Sequence, residues 1–231
     1  METTRHKLLV RILQVLITFA WLTGWLTLLG CPIPVVQQVP APEVQPLPAG
    51  AAANTLSLRR VIIEVPKGTV VGERSLGPEC FRAEPLKWDS DTLVYNEGAY
   101  HTTFDTLLTQ YNFRSRKNQL SLFDAPAPEG ELQVGAKITN IKQIDCMSEG
   151  LFRMGQASHK GSARFSVRWE VYSPKEQKVV LVVENEGSGI LDTFKSESED
   201  SYFVRAFAAS LKGLLKNENF RKLVTTPAVK K

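Results

Sequence analysis

Apolar residues recur along this chain with two periods. Between Ala163 and Tyr172, Ala163, Phe165, Val167, Trp169 and Val171 alternate with Arg164, Ser166, Arg168 and Glu170, the signature of a half-buried strand. Turn chemistry follows in Ser173-Pro174-Lys175-Glu176-Gln177. Lys178 to Glu186 then returns through Val179, Leu181 and Val183 as a hairpin partner, with Gly187-Ser188-Gly189 expected to end it. Leu58 to Val65 reads as a buried strand closed by Pro66-Lys67-Gly68, and Val70-Val71 starts another. Leu132 to Ile144 carries Val134, Ala136 and Ile138 on one face. Ile141 and Ile144 then fall out of phase, which predicts a bulge near Asn140.

The helical period appears twice. Phe104, Leu107, Leu108 and Tyr111 share one face after Thr102, which with Asp105 resembles a capping box; Asn112 ends the run. Phe203, Phe207, Leu211 and Leu214 form a second stripe, with Ala206 and Ser210 at close-packed positions. Ser198 and Asp200 are candidate caps, Asn217 and Asn219 mark a break, and Phe220, Leu223 and Val224 add a turn. Strand runs with two helices predict an α+β fold: a mostly antiparallel sheet with two main helices packed on one face.

The N-terminus follows a different rule. Arg5, Lys7 and Arg11 precede an uncharged run from Val15 to Gly30, closed by Leu28-Leu29-Gly30-Cys31. A small residue before cysteine, at the end of a secretory-type segment, is the pattern of a bacterial lipoprotein signal. On this reading residues 1–30 are removed and Cys31 carries the lipid. The alternative is a single-pass anchor that is never cleaved, since residues 8–30 approach the length needed to span a bilayer. Either way the positive end stays inside and the remainder lies outside the cytoplasm.

Six prolines, Pro32, Pro34, Pro40, Pro42, Pro46 and Pro48, follow at once. They remove backbone donors and fix φ. Residues 31–55 are therefore expected to be a disordered Pro-rich tether, able to reach on the order of 70 Å when extended. A globular domain over 56–224 and a tail over 225–231 complete the organisation.

Composition narrows this further. The chain has 231 residues, 23% charged, with a net charge of +4. No basic groove interleaved with aromatics is visible, so no nucleic-acid partner is expected. Cys31 being taken by lipid, Cys80 and Cys146 remain as an even pair in an oxidising compartment and are candidates for a disulfide. Such a bridge would contribute about 4 kcal/mol in the chain-entropy model. Two separately buried thiols are the main alternative; a metal site with His101 and His159 is the remainder, with no paired ligands at short spacing to signal it.

The sequence offers little catalytic chemistry. His101 and His159 are the histidines outside the leader, both expected at the surface. Neither G-x-S-x-G, H-E-x-x-H nor a phosphate loop occurs, so no enzyme, cofactor or metal is expected. Candidate partner-binding residues are Phe152 and Met154, in a polar segment from Met147 to Lys160 read as a mobile connection. Arg164 and Arg168, on the outer face of the best strand, join them.

Lipidated Cys31, a Pro-rich tether and a small α+β domain closing on the helix at 200–224 together resemble bacterial outer-membrane lipoproteins of the curli-secretion and penicillin-binding-protein-activator type. That resemblance implies a periplasmic protein at the outer membrane that binds a protein partner of the envelope, with oligomers in some members. Pro32, rather than aspartate, after Cys31 agrees with passage to the outer membrane. A carrier of a lipid or small hydrophobic ligand is the other reading.

Overall fold

A computed structural model describes residues 35–77, 80–89, 97–116, 131–149, 157–196 and 201–226. They form an α+β fold with a seven-stranded mixed sheet and three helices. The expected architecture is present, because the long ladders are antiparallel and the helices gather on one face.

The spine is β5 (Glu131–Glu149). One edge pairs along its whole length with antiparallel β6 (Ala157–Ser173), which pairs in turn with antiparallel β7 (Lys178–Ser196). The other edge is shared. Parallel β1 (Thr55–Ile63) takes the first half and parallel β2 (Val70–Leu76) the second. Strand β3 (Phe81–Lys87) lies antiparallel to β2, and the two-residue β4 (Arg114–Ser115) lies beside β1. The register of β5 shifts between Ile138 and Asn140, where β1 gives way to β2. The phase break in the sequence marks this bulge.

Three helices follow the apolar stripes. Helix α1 (Glu97–Gln110) buries Tyr100, Phe104, Leu107 and Leu108. It begins before the expected Thr102, whose hydroxyl donates to Gly98 O within the helix, and Asp105 accepts from Ser115 instead of capping. Asn112, just past its end, takes a positive φ of 61°. Helix α2 (Tyr202–Lys216) is capped by Ser201, whose side chain accepts from Val204 N. Ser198 and Asp200 lie outside the described residues. Asn217 ends α2 and caps α3 (Glu218–Thr225) through Phe220 N.

Helix α2 lies on β6 and β7. Phe207 meets Tyr100 of α1 at 4.7 Å and Trp169 of β6 at 5.4 Å between ring centroids. Trp169 donates its indole N–H to Ser210 at 3.0 Å, satisfying a buried polar group at the centre of the core.

Three expectations change here. Gly187 and Gly189 do not end the hairpin, because β7 runs through them to Ser196. A Cβ on Gly187 would fall 2.2 Å from Ala206 O, and one on Gly189 would fall 2.2 Å from Tyr202 O. The glycines are demanded by helix contact, not by a turn. Second, the described parts of the segment from Met147 to Lys160 are ladder, with Met147 opposite His159 and Ser148 opposite Ser158. Third, the Pro-rich linker is not a free tether from residue 35 onward. Val44, Leu47 and Ala52 are buried in the core. Leu47 N donates to Tyr111 O at 2.9 Å, and Asn112 Nδ2 donates to Leu47 O at 2.8 Å. Prolines prevent helix and ladder, but they do not prevent an extended strap from burying the apolar residues between them.

Gly187→Val is expected to destabilise the fold by about 1–3 kcal/mol, since an overpacked contact must be relieved by moving α2. Urea unfolding against the unaltered protein measures this, and an unchanged midpoint would contradict the close helix–strand contact.

Candidate functional site

Beyond the bulge, the sheet carries polar residues on the face that elsewhere forms the core. Gln143 and Asp145 of β5 succeed Ile141 on that face, opposite Ala163 and Gly161. Strand β2 brings Arg74 alongside Asp145, β6 brings His159, and the first turn of α2 lowers Tyr202 onto the group. Asp145 is only 1% exposed. Its Oδ2 accepts from Arg74 Nε at 3.0 Å. Its Oδ1 lies 3.2 Å from His159 Nδ1 and accepts from the Tyr202 hydroxyl, also at 3.2 Å. Gln143 Nε2 donates to the same hydroxyl at 3.0 Å.

Electrostatics explain why this carboxylate tolerates burial. Burial alone raises the Asp145 carboxyl, but the hydrogen bond and charge of His159, with those of Arg74, outweigh it and leave it below the usual aspartate range. Tyr202 goes the other way: burial first, then the neighbouring carboxylate, push its phenol well up. It therefore stays a hydrogen-bond donor. With both carboxylate oxygens engaged by three donors, Asp145 is arranged to hold β2, β5, β6 and α2 together rather than to accept a proton from a substrate. His159, expected at the surface, is instead part-buried against Asp145, because β6 begins three residues before the polar loop was expected to end.

The next residue on β5 completes a second tie. Cys146 is bonded to Cys80, with Cα atoms 5.4 Å apart across a sequence separation of 66. Cys80 adopts a positive φ of 57° just before β3. The bridge, one of three outcomes left open by the sequence, pins the β2–β3 hairpin to β5.

On the opposite, open face the two arginines are placed as the strand alternation requires. Arg164 pairs with Glu186. Arg168 reaches Glu170 and Glu184, each at 3.0 Å. No described helix covers them, and they form a ladder of ion pairs with stems along β6 and β7. Val182 and Val179 of β7 are exposed nearby. Phe152, Met154 and Cys31 lie outside the described residues. Among the described residues, no group of three His, Cys, Asp or Glu side chains could hold a metal ion, and no helix is long and apolar enough to cross a membrane.

Sequence reading missed Asp145 entirely. One signal was present: Gln143 and Asp145 continue the inward phase of a strand that is otherwise apolar there. A polar residue at an inward position asks for a partner, although the partners come from three other elements.

No protein-family model matches the chain, and no curated protein does. Solved structures do. Protein XCC0632 from Xanthomonas campestris, of the DUF330 family, is 10% identical, with 79% of this chain and 92% of that chain covered at a TM-score of 0.33. The hypothetical protein CT253 from Chlamydia trachomatis is 17% identical over 75% of this chain and 94% of that chain, with a TM-score of 0.32. Likeness at this level assigns neither family nor function.

Asp145→Asn is expected to cost on the order of 3 kcal/mol, because it leaves Arg74 and His159 facing a neutral group. The lowered Asp145 carboxyl contributes stability that is complete above the ordinary aspartate value of about 3.9 and is lost as pH falls below it. Urea midpoints from neutral to acid pH should therefore converge for the two proteins only on the acid side. A constant gap at every pH would remove the assigned ionisation. Reduction of Cys80–Cys146 should lower stability by up to about 4 kcal/mol, read as a lower denaturation midpoint in the presence of a thiol.

Proposed function

We propose that this chain is a lipid-anchored interaction protein of the bacterial envelope. On this reading it is held through Cys31 at the periplasmic face of the outer membrane and offers its α+β body to a protein partner. The observation that carries the reading is the Cys80–Cys146 disulfide, in a chain whose leader closes on Leu28-Leu29-Gly30-Cys31. Structural disulfides persist in the periplasm and are rare in the cytosol, so bridge and leader support the same compartment independently.

The buried polar cluster supports a structural role, since Asp145 spends both oxygens on neighbouring elements. The space between sheet and helices is occupied by Trp169, Phe207, Tyr100 and Phe104, all fully buried. That packing favours an interaction protein over a carrier with an apolar cavity. The docking surface we assign is the open face of β6 and β7, where Arg168, Glu170 and Glu184 adjoin exposed Val182. Phe152 and Met154 are further candidates on the β5–β6 connection.

The test is metabolic labelling with a fatty acid in cells producing the wild type or Cys31→Ser, followed by separation of the membranes. Label is expected on the wild type, in the outer-membrane fraction, and absent from the variant. Full-length protein in the cytosol with residues 1–30 attached would overturn the proposal.

A further inference from the structure

We infer that the strap-bearing end of the outward sheet face, where Lys142, Lys160 and Arg164 surround Ser162, rests on the surface of an anionic phospholipid bilayer. This deepens the reading of Cys31 as the lipid anchor and rests on it.

Chain length limits where this face can go. The Pro-rich strap is docked on the sheet almost from its start. Val36 N donates to Ser162 Oγ at 3.0 Å. Val39 and Ser188 bond reciprocally, with Val39 N donating to Ser188 Oγ at 2.8 Å and the same hydroxyl donating to Val39 O at 2.9 Å. Ser162 is fully buried beneath this contact. Cys31 precedes Val36 by five residues, which span at most about 18 Å when fully extended. A free 22-residue tether would reach on the order of 70 Å. Docking of the strap therefore replaces a long stand-off by a short leash, and the face that receives Val36 cannot leave the neighbourhood of the headgroups.

Charge acts at the same place. Lys160, Ser162 and Arg164 alternate onto one face of β6, so the first docked residue sits between two cations. Lys142 of β5 is the direct cross-strand partner of Arg164. Like charges placed opposite each other are unfavourable unless an anion is shared. Glu186 engages Arg164, and Glu73 of β2 stands on the same face opposite Ile144. Lys160 holds its ammonium over the Phe194 ring, while Lys142 is exposed. Cations at this range from an anionic leaflet are drawn to it, and the attraction fades over a Debye length of roughly 10 Å. A leash of at most about 18 Å lets them come within that range.

The test uses full-length acylated protein reconstituted into vesicles of phosphatidylcholine alone or with phosphatidylglycerol. Lysines are modified by a membrane-impermeant amine reagent and read by mass spectrometry. Lys142 and Lys160 are expected to react severalfold more slowly on the anionic vesicles, with Lys178, exposed at the start of β7, unchanged. High salt should abolish the difference, and free phosphate added to neutral vesicles should not reproduce it. Lengthening the chain between Pro32 and Ile33 with a flexible Gly-Ser segment should restore reactivity without touching the folded part. Equal rates on both vesicles, with fatty acid present on Cys31, would overturn this inference and leave the anchor standing. Lack of fatty acid on wild-type Cys31 would overturn both.

Discussion

Helix α2 lies directly on β7 because positions 187 and 189 carry no side chain. That contact lets the helix backbone approach the strand closely enough for Phe207, Leu211 and Leu214 to reach the β6 surface and for Ser210 to meet the Trp169 indole. The other layers follow from it. Helix α1 packs through Tyr100 onto Phe207, and α3 continues from α2 through the shared cap Asn217. The start of α2 also delivers Tyr202 to Asp145. A side chain at either glycine would disturb the apolar core and the polar cluster together, since one rigid helix serves both.

Asp145 marks where the sheet changes character. Before the bulge near Asn140 the helix-facing side of β5 is apolar, and after it that side is polar and tied by charge. Removing a carboxylate from water is costly, and the cost is met only when several donors converge on it. Arg74, His159 and Tyr202 converge from three different elements. Cys146 is adjacent, and its disulfide holds the β2–β3 hairpin against the same stretch of β5. This end of the molecule is thus secured by specific bonds, as the other is by Ser57 and Arg116 on buried Glu131. The carboxylate cluster and the disulfide limit how far β2, which pairs along only half of the spine, and β3 beyond it can detach.

The strap shows how one segment can satisfy two descriptions. Its prolines exclude regular structure, as its composition says. Val44, Leu47 and Ala52 nonetheless complete the core, and Val36 and Val39 engage serines on the opposite side of the sheet. Polyproline-like chain can dock in this way because its amides are not committed to a ladder and are free for isolated bonds to side chains.

Local rules in the sequence were enough for the hairpin of β6 and β7, the bulge in β5, the apolar stripes of α1 and α2, the break at Asn217 and the outward placement of Arg164 and Arg168. Each depends on neighbours within a turn or a pleat. The pairing of Cys80 with Cys146 was one of three open outcomes, because the distance between two thiols is a property of the fold. Tertiary structure alone decided that Gly187 and Gly189 sit mid-strand under a helix, that His159 faces a buried carboxylate, and that the proline-rich segment belongs to the body. In all three the deciding atoms come from residues far away along the chain. Periodicity reports which side of an element is apolar; it carries no information about what that side will meet.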